Sequence, residues 1–146
     1  MLPEQPGTYA LILRLSQGTT ISVGSLGEFN FPAGWYAYAG SARGPGGLDA
    51  RVSRHIRESK GLHWHIDYLR AHAEPAAVWY DTGHARRECT WASALSQVPG
   101  TSSPAPRFGA SDCRCPAHLI HLPRRPAHST FEGLVDGSIS RFVLIG

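Results

Sequence analysis

Lysine is nearly absent from this chain. Of its 14 Lys and Arg residues only Lys60 is lysine, so 13 are arginine. Arginine presents a planar fork that matches phosphate. With 11 acidic residues, a net charge of +3 and a pI near 9.0, the skew leans toward a polyanionic partner. A GC-rich genome yields the same abundance of Arg, Ala, Gly and Pro, so the charge permits nucleic acid without proving it. Long apolar runs are also missing, and none approaches the ~20 residues that a membrane helix needs. Residues Met1 to Pro6 lack a basic-plus-apolar signal pattern, which argues against secretion. Cysteine is scarce: the three include Cys113-x-Cys115, an odd count spaced too closely for a disulfide framework. Reduced thiols in a cytoplasmic protein are the expectation.

What the chain does contain is enough apolar residue for a core, 42% of 146 positions, in a single expected domain over 1–146. Gly7 to Leu15 reads as a strand, because Tyr9, Leu11, Leu13 and Leu15 alternate with Thr8, Ala10, Ile12 and Arg14. Thr19 to Val23 and Glu28 to Phe31 read as short strands, and Pro32-Ala33-Gly34 turns the chain into an aromatic strand from Trp35 to Gly40. Gly44-Pro45-Gly46-Gly47 is a turn before a helix over Leu48 to Ser59, with Gly61 as its C-terminal glycine. Further helices are expected over His65 to His72, Arg86 to Val98 and near Thr130 to Val135. Further strands are expected over Ala76 to Tyr80, His118 to Leu122 and Ile139 to Ile145, with a Pro- and Ser-rich loop from Pro99 to Pro106. The order predicts an α/β fold, a small sheet flanked by helices.

Three short pieces carry chemistry. Gly7-Thr8-Tyr9 opens one strand, Tyr38-Ala39-Gly40 closes another, and Arg51-x-x-x-His55 follows a glycine-rich turn. Within that helix Leu48, Val52 and Ile56 form an apolar stripe, and Arg51 and His55 lie along its edge. Two strand-borne tyrosines beside an Arg and a His make a set suited to phosphodiester cleavage. Arg54 and Arg57 are expected to point outward, toward solvent or a nucleic-acid backbone. Arg43, in the turn between, is placed to contact the scissile strand, and Ser41 to help through its hydroxyl. The plainer reading is a solvated basic helix beside core aromatics.

These residues resemble the GIY-YIG nucleases. In that family a tripeptide ending in Tyr and a second Tyr-x-Gly lie on neighbouring strands, a helix carries an Arg often followed by His or Tyr, and a later helix carries a metal-binding Glu. Val23-Gly24-Ser25-Leu26-Gly27, Tyr38-Ala39-Gly40-Ser41-Ala42, His63-Trp64-His65-Ile66-Asp67-Tyr68-Leu69 and Ser111-Asp112-Cys113-x-Cys115-x-x-His118-Leu119 are similar to the Uri-type branch, over about Gly7 to Val135. The resemblance implies a mainly antiparallel sheet. It implies a metal-dependent endonuclease, acting on nucleic acid with DNA the first expectation. Tyr9, Tyr38, Arg51 and His55 would be its catalytic residues and Glu88 the ligand of Mg²⁺ or Mn²⁺. Tyr9 would activate water, with Arg51 and the ion lowering its pKa. Arg51 would neutralise the phosphate in the transition state, and His55 and Tyr38 would position water or shuttle a proton. Tyr9 and Tyr38 stand 29 positions apart (38 minus 9), wider than one short hairpin. An inserted hairpin at about 20–34 must therefore loop out and return for the tyrosines to meet. No additional Asn near the C-terminus matches the polar residue that some members carry.

Other readings compete. A non-catalytic nucleic-acid-binding module would keep the fold without cleavage, but has no need of all five residues together. His63-x-His65-x-Asp67 has the HxHxD spacing of metal-dependent hydrolases, yet Tyr68 stands where the following His belongs, so a capping or hydrogen-bonding role is expected. Cys113-x-Cys115-x-x-His118-x-x-His121 offers four zinc ligands in nine residues without the usual C-x₂₋₄-C and H-x₃₋₅-H spacings. Asp112 and His118 would otherwise shape the cleft from its far side. A Cys–His nucleophile on Cys89, Cys113 or Cys115 lacks an oriented third group.

Overall fold

The structure is a computed structural model that describes residues 2–57, 61–111, 113–135 and 138–145. In chain order its strands are β1 (Gly7–Leu15), β2 (Thr19–Val23), β3 (Gly27–Phe31), β4 (Gly34–Ala42), β5 (Glu74–Thr82), β6 (Leu119–Leu122) and β7 (Ser140–Val143). Its helices are α1 (Gly47–Ile56), α2 (His65–Arg70), α3 (Glu88–Ser96) and α4 (His128–Leu134). Strand β1 is the centre of a five-stranded sheet ordered β6-β4-β1-β5-β7, with every pairing antiparallel. The expected α/β class and mainly antiparallel sheet hold.

Successive side chains of a strand point to opposite faces, and here both faces are covered. Tyr9, Leu11 and Leu13 of β1, with Tyr36 and Tyr38 of β4, pack with Leu48 and Val52 of α1 and Ile66 and Leu69 of α2. Ala10, Ile12, Ala37 and Ala39 meet Trp91 and Leu95 of α3 and Phe131 of α4 on the opposite face. The alternation seen in β1 is therefore apolar on both sides rather than apolar and polar.

The expected hairpin is present. Strands β2 and β3 form a separate two-stranded sheet from Thr19↔Phe31 to Val23↔Gly27, joined by a short 3-10 turn. Its detour brings the chain back so that β4 pairs along the whole of β1, from Gly7↔Ala42 to Leu15↔Gly34.

Helix α1 starts where expected. The amides of Leu48 and Asp49 donate to the carbonyls of Gln5 and Pro3, at 2.9 Å each, so the N-terminal segment satisfies donors that a helix start leaves open. Its end differs from expectation: the helix closes at Ile56, and Arg57 is extended at ψ 135°. Arg70 Nη2 donates to the Ile56 carbonyl at 2.7 Å. That bond satisfies a terminal carbonyl without a glycine cap, so Gly61 has no such role. Glu58 and Ser59, the last residues of the expected helix, lie outside the described residues, as does Asp112. Among the described residues no helix is long and apolar enough to cross a membrane.

Candidate active site

The register of β1 on β4 decides where the two tyrosines stand. Tyr9 lies opposite Gly40 and Tyr38 opposite Leu11, two residues along on the same face. Their ring centroids are 6.4 Å apart. Gly40 permits this, because a Cβ there would sit 2.5 Å from Tyr9 Oη. Helix α1 crosses above and brings His55 Nε2 to 2.7 Å from Tyr9 Oη. The His55 ring meets Tyr38 edge-on, with centroids 6.0 Å apart. Tyr9, Tyr38 and His55 are all buried.

The two tyrosines line a cleft of about 530 Å³ together with Gly40, Arg43, Arg51 and Glu88, and His55 is outside that lining. Arg51 is held from two sides. Its Nη1 donates to the Ser41 carbonyl at 3.0 Å, and its guanidinium carbon lies 4.0 Å from the Trp64 ring centroid, a cation–π contact. Ser41 Oγ in turn donates to Glu88 Oε2. Glu88 occupies the first turn of α3, where the helix dipole favours a carboxylate. One strand residue thus links the arginine of one helix to the acid of another.

Burial dominates the electrostatics. It pushes the Tyr9 hydroxyl well above its ordinary pKa, and neighbouring Tyr38 pushes the same way. Arg51 pulls it down and Glu88 raises it further, with net effect upward. Tyr38 is likewise raised by burial against the pull of Arg51. Both phenols are therefore protonated at neutral pH in the protein alone. The expectation that Arg51 lowers Tyr9 holds in sign, but desolvation is the larger effect. The Tyr9–His55 bond is a single shared hydrogen bond whose direction follows the His55 tautomer.

The other arginines part company. Arg43 lines the cleft, and its buried Nε and Nη2 have no hydrogen-bond partner among the described residues. Arg57 is exposed just past α1. Arg54 does not point outward as expected. Its fork grips Asp67 with two bonds of 3.0 and 3.1 Å. The Asp67 carboxylate also accepts the amides of His63 and Trp64, at 2.9 and 2.8 Å, and so caps α2. His65 Nδ1 accepts the Gly109 amide at 2.8 Å. Asp67 and His65 thus take the capping and hydrogen-bonding roles expected of them, while His63 and His65 also line the cleft.

The cysteines depart from expectation. Cys89 and Cys115 form a disulfide, in place of the reduced thiols anticipated. His118 Nε2 lies 3.4 Å from Cys89 Sγ and 3.3 Å from Cys113 Sγ. Burial pushes the His118 pKa down; Glu88 opposes this and Arg107 adds to it, so the ring is neutral near pH 7. His121 is elsewhere, with Nε2 3.0 Å from the Ala33 carbonyl and its ring against Tyr36. Cys89 was missed as a neighbour of this group because it lies 24 residues before Cys113 (113 minus 89) and only the fold brings it there. Its one local signal is its position directly after Glu88.

No curated protein and no solved structure matches this chain. One family does, over residues 8–138, a span that runs from the first strand past α4 and includes every residue of the cleft named above. The chain belongs to that family, described as a domain of unknown function, DUF123.

Proposed function

We propose that this protein is a metal-dependent endonuclease of the GIY-YIG type, Uri-type branch, that hydrolyses phosphodiester bonds in nucleic acid, DNA first, in the cytoplasm. One observation carries the reading: Tyr9, Tyr38, Arg51 and Glu88, drawn from two strands and two helices, line one cleft. A core tyrosine or a surface arginine needs no such company. The Arg43 guanidinium adds support, because a buried donor without an acceptor costs ~1–3 kcal/mol, and more when charged. A phosphate oxygen would satisfy it.

Glu88 offers a single carboxylate at a cleft open to water, with Oε2 already engaged by Ser41. That donor set suits Mg²⁺ or Mn²⁺, which retain waters and take substrate oxygens. When bound, such an ion supplies Lewis-acid polarisation of the phosphoryl oxygen. The chain's own residues do the rest. Arg51, oriented by Ser41 and Trp64, neutralises charge that builds on the phosphate, and Arg43 binds the same backbone. Tyr9 accepts a proton from the attacking water while its own passes to His55 Nε2, so the buried phenol need never persist as an anion. Tyr38 orients that water across the cleft.

The test is cleavage of labelled single-stranded, duplex, flap and branched DNA, and of RNA, with Mg²⁺ or Mn²⁺ against EDTA. Metal-dependent cutting that is lost in Glu88→Ala is the expected result. Binding without cutting on every substrate would replace the enzyme with a nucleic-acid-binding module of the same fold.

A further inference from the structure

Cys89, Cys113, Cys115 and His118 take no part in that reaction. They come from the first turn of α3 and from the loop before β6, and their donor atoms all lie within 4.8 Å of one another. We propose that in the reduced protein these four residues bind one zinc ion, in a structural site separate from Glu88.

The geometry of the group supports this. Zinc takes Cys sulfur at ~2.3 Å and His nitrogen at ~2.0–2.1 Å in a tetrahedron, whose sulfur–nitrogen edges are then about 3.5 Å. The two sulfur–nitrogen distances, 3.3 and 3.4 Å, are close to such edges. Three thiolates and one imidazole complete four-coordination, leave no open position, and select zinc over the hard cations suited to a lone carboxylate. His118 is buried and the three cysteines half-buried, with Cys113 and His118 on the wall of the cleft that Glu88 also lines.

The backbone is braced for it. His118 is fastened on both sides: its amide donates to the Phe108 carbonyl at 2.8 Å, and its carbonyl accepts the Ala39 amide at 2.9 Å. Arg107, in a left-handed conformation at φ 67°, donates from Nη1 to the Cys115 carbonyl and from Nη2 to the Cys113 carbonyl, at 2.6 Å each. Its charge stands beside a centre that is negative once loaded.

The disulfide and the ion exclude each other. A dithiol reductant donates two electrons and two protons to the Cys89–Cys115 bond, which breaks to two thiols as the reductant closes its own disulfide. Zinc then displaces the protons of three thiols into solvent, and Zn²⁺ with three thiolates and neutral His118 carries a charge of −1. No electrons pass to the metal. Because Cys89 follows Glu88 directly, the ion ties the first turn of α3 to the far wall of the cleft in the reduced protein, as the disulfide does in the oxidised one.

The experiment measures metal in the full chain after treatment with dithiothreitol and zinc, then removal of unbound ions under reducing conditions. About one zinc per chain is expected, against almost none in oxidised protein given the same zinc. Cobalt in place of zinc should give the intense thiolate-to-cobalt absorption of a sulfur-rich tetrahedral site. Cys113→Ser and His118→Ala should lose the ion, while His121→Ala and Glu88→Gln keep it. The cobalt spectrum of the unaltered protein tests the idea even if a cysteine variant fails to fold. Reduced protein with neither zinc nor the thiolate band overturns the proposal, as does loss of zinc in Glu88→Gln with retention in His118→Ala.

Discussion

Tyr9 Oη and His55 Nε2 are 2.7 Å apart, both buried, and join the central strand to helix α1 by a hydrogen bond across 46 residues. Removing the phenol oxygen leaves a buried imidazole nitrogen without that partner. Tyr9→Phe should therefore cost about 1–3 kcal/mol of stability and, under the proposed mechanism, in which Tyr9 transfers a proton, lower cleavage by roughly 10²-fold or more. Denaturant unfolding and single-turnover rates check the two separately. Unchanged cleavage would remove Tyr9 from the reaction.

Gly40 faces Tyr9 across the β1–β4 ladder, and a methyl group there would meet Oη and Cζ at 2.5 and 2.6 Å. The Tyr9 ring is buried beside α1, and moving it away from Gly40 would break its bond to His55. Gly40→Ala should destabilise by about 1–3 kcal/mol through overpacking and displace the phenol from His55. A crystal structure of the variant with Tyr9 in place contradicts this.

Arg51 is braced by the Ser41 carbonyl and the Trp64 ring and contributes little to the core. Arg51→Ala should lower the cleavage rate by about 10²–10³-fold, the range for removing one preorganised charge stabiliser, with the circular dichroism spectrum unchanged. Arg51→Lys should recover only part of the rate, because an ammonium lacks the planar fork.

Arg43 and Arg54 should behave oppositely. Arg43→Ala removes a cleft-facing guanidinium and should reduce the slope of log affinity against log salt by about 1. Arg54→Ala should leave that slope unchanged and destabilise the fold, because it abandons buried Asp67. Binding isotherms at several salt concentrations, with melting curves, separate the two. A reduced slope in Arg54→Ala contradicts its assignment to Asp67.

Asp67 makes stability depend on acid. Burial alone would raise its pKa, but the Arg54 fork and the amides of Trp64 and His63 outweigh it and hold the carboxyl below its ordinary value. The unfolded chain then binds a proton more readily than the fold. This contribution is present above the unfolded pKa near ~3.9 and is lost as pH falls through the folded value. Asp67→Asn should cost about 2 kcal/mol at neutral pH, toward the low side because Arg54 is 25% exposed. It should also flatten the acid limb of the stability profile. Denaturant midpoints from pH 7 downward test the sign, and an unchanged acid limb contradicts it.

Much of this protein was legible before folding. The alternation of Gly7 to Leu15, the turns at Pro32 to Gly34 and Gly44 to Gly47, and the Leu48-Val52-Ile56 stripe are signals between near neighbours. The elements they predict form with ends displaced by a few residues. The two tyrosine tripeptides and Arg51-x-x-x-His55 were visible for the same reason. Tertiary structure alone decided the rest, because burial and register depend on residues far along the chain. Arg54 looks solvent-bound on a helical wheel, and only the packing of α2 against α1 puts Asp67 in its fork. Tyr9 looks like a base to be activated, and burial in the fold, the largest of the effects on it, raises its pKa instead. Cys89 gives no sign of its partners until α3 and the 113–118 loop meet at the end of the sheet. Local sequence determines which way a chain turns, and desolvation and charge pairing are settled only when distant segments exclude water together.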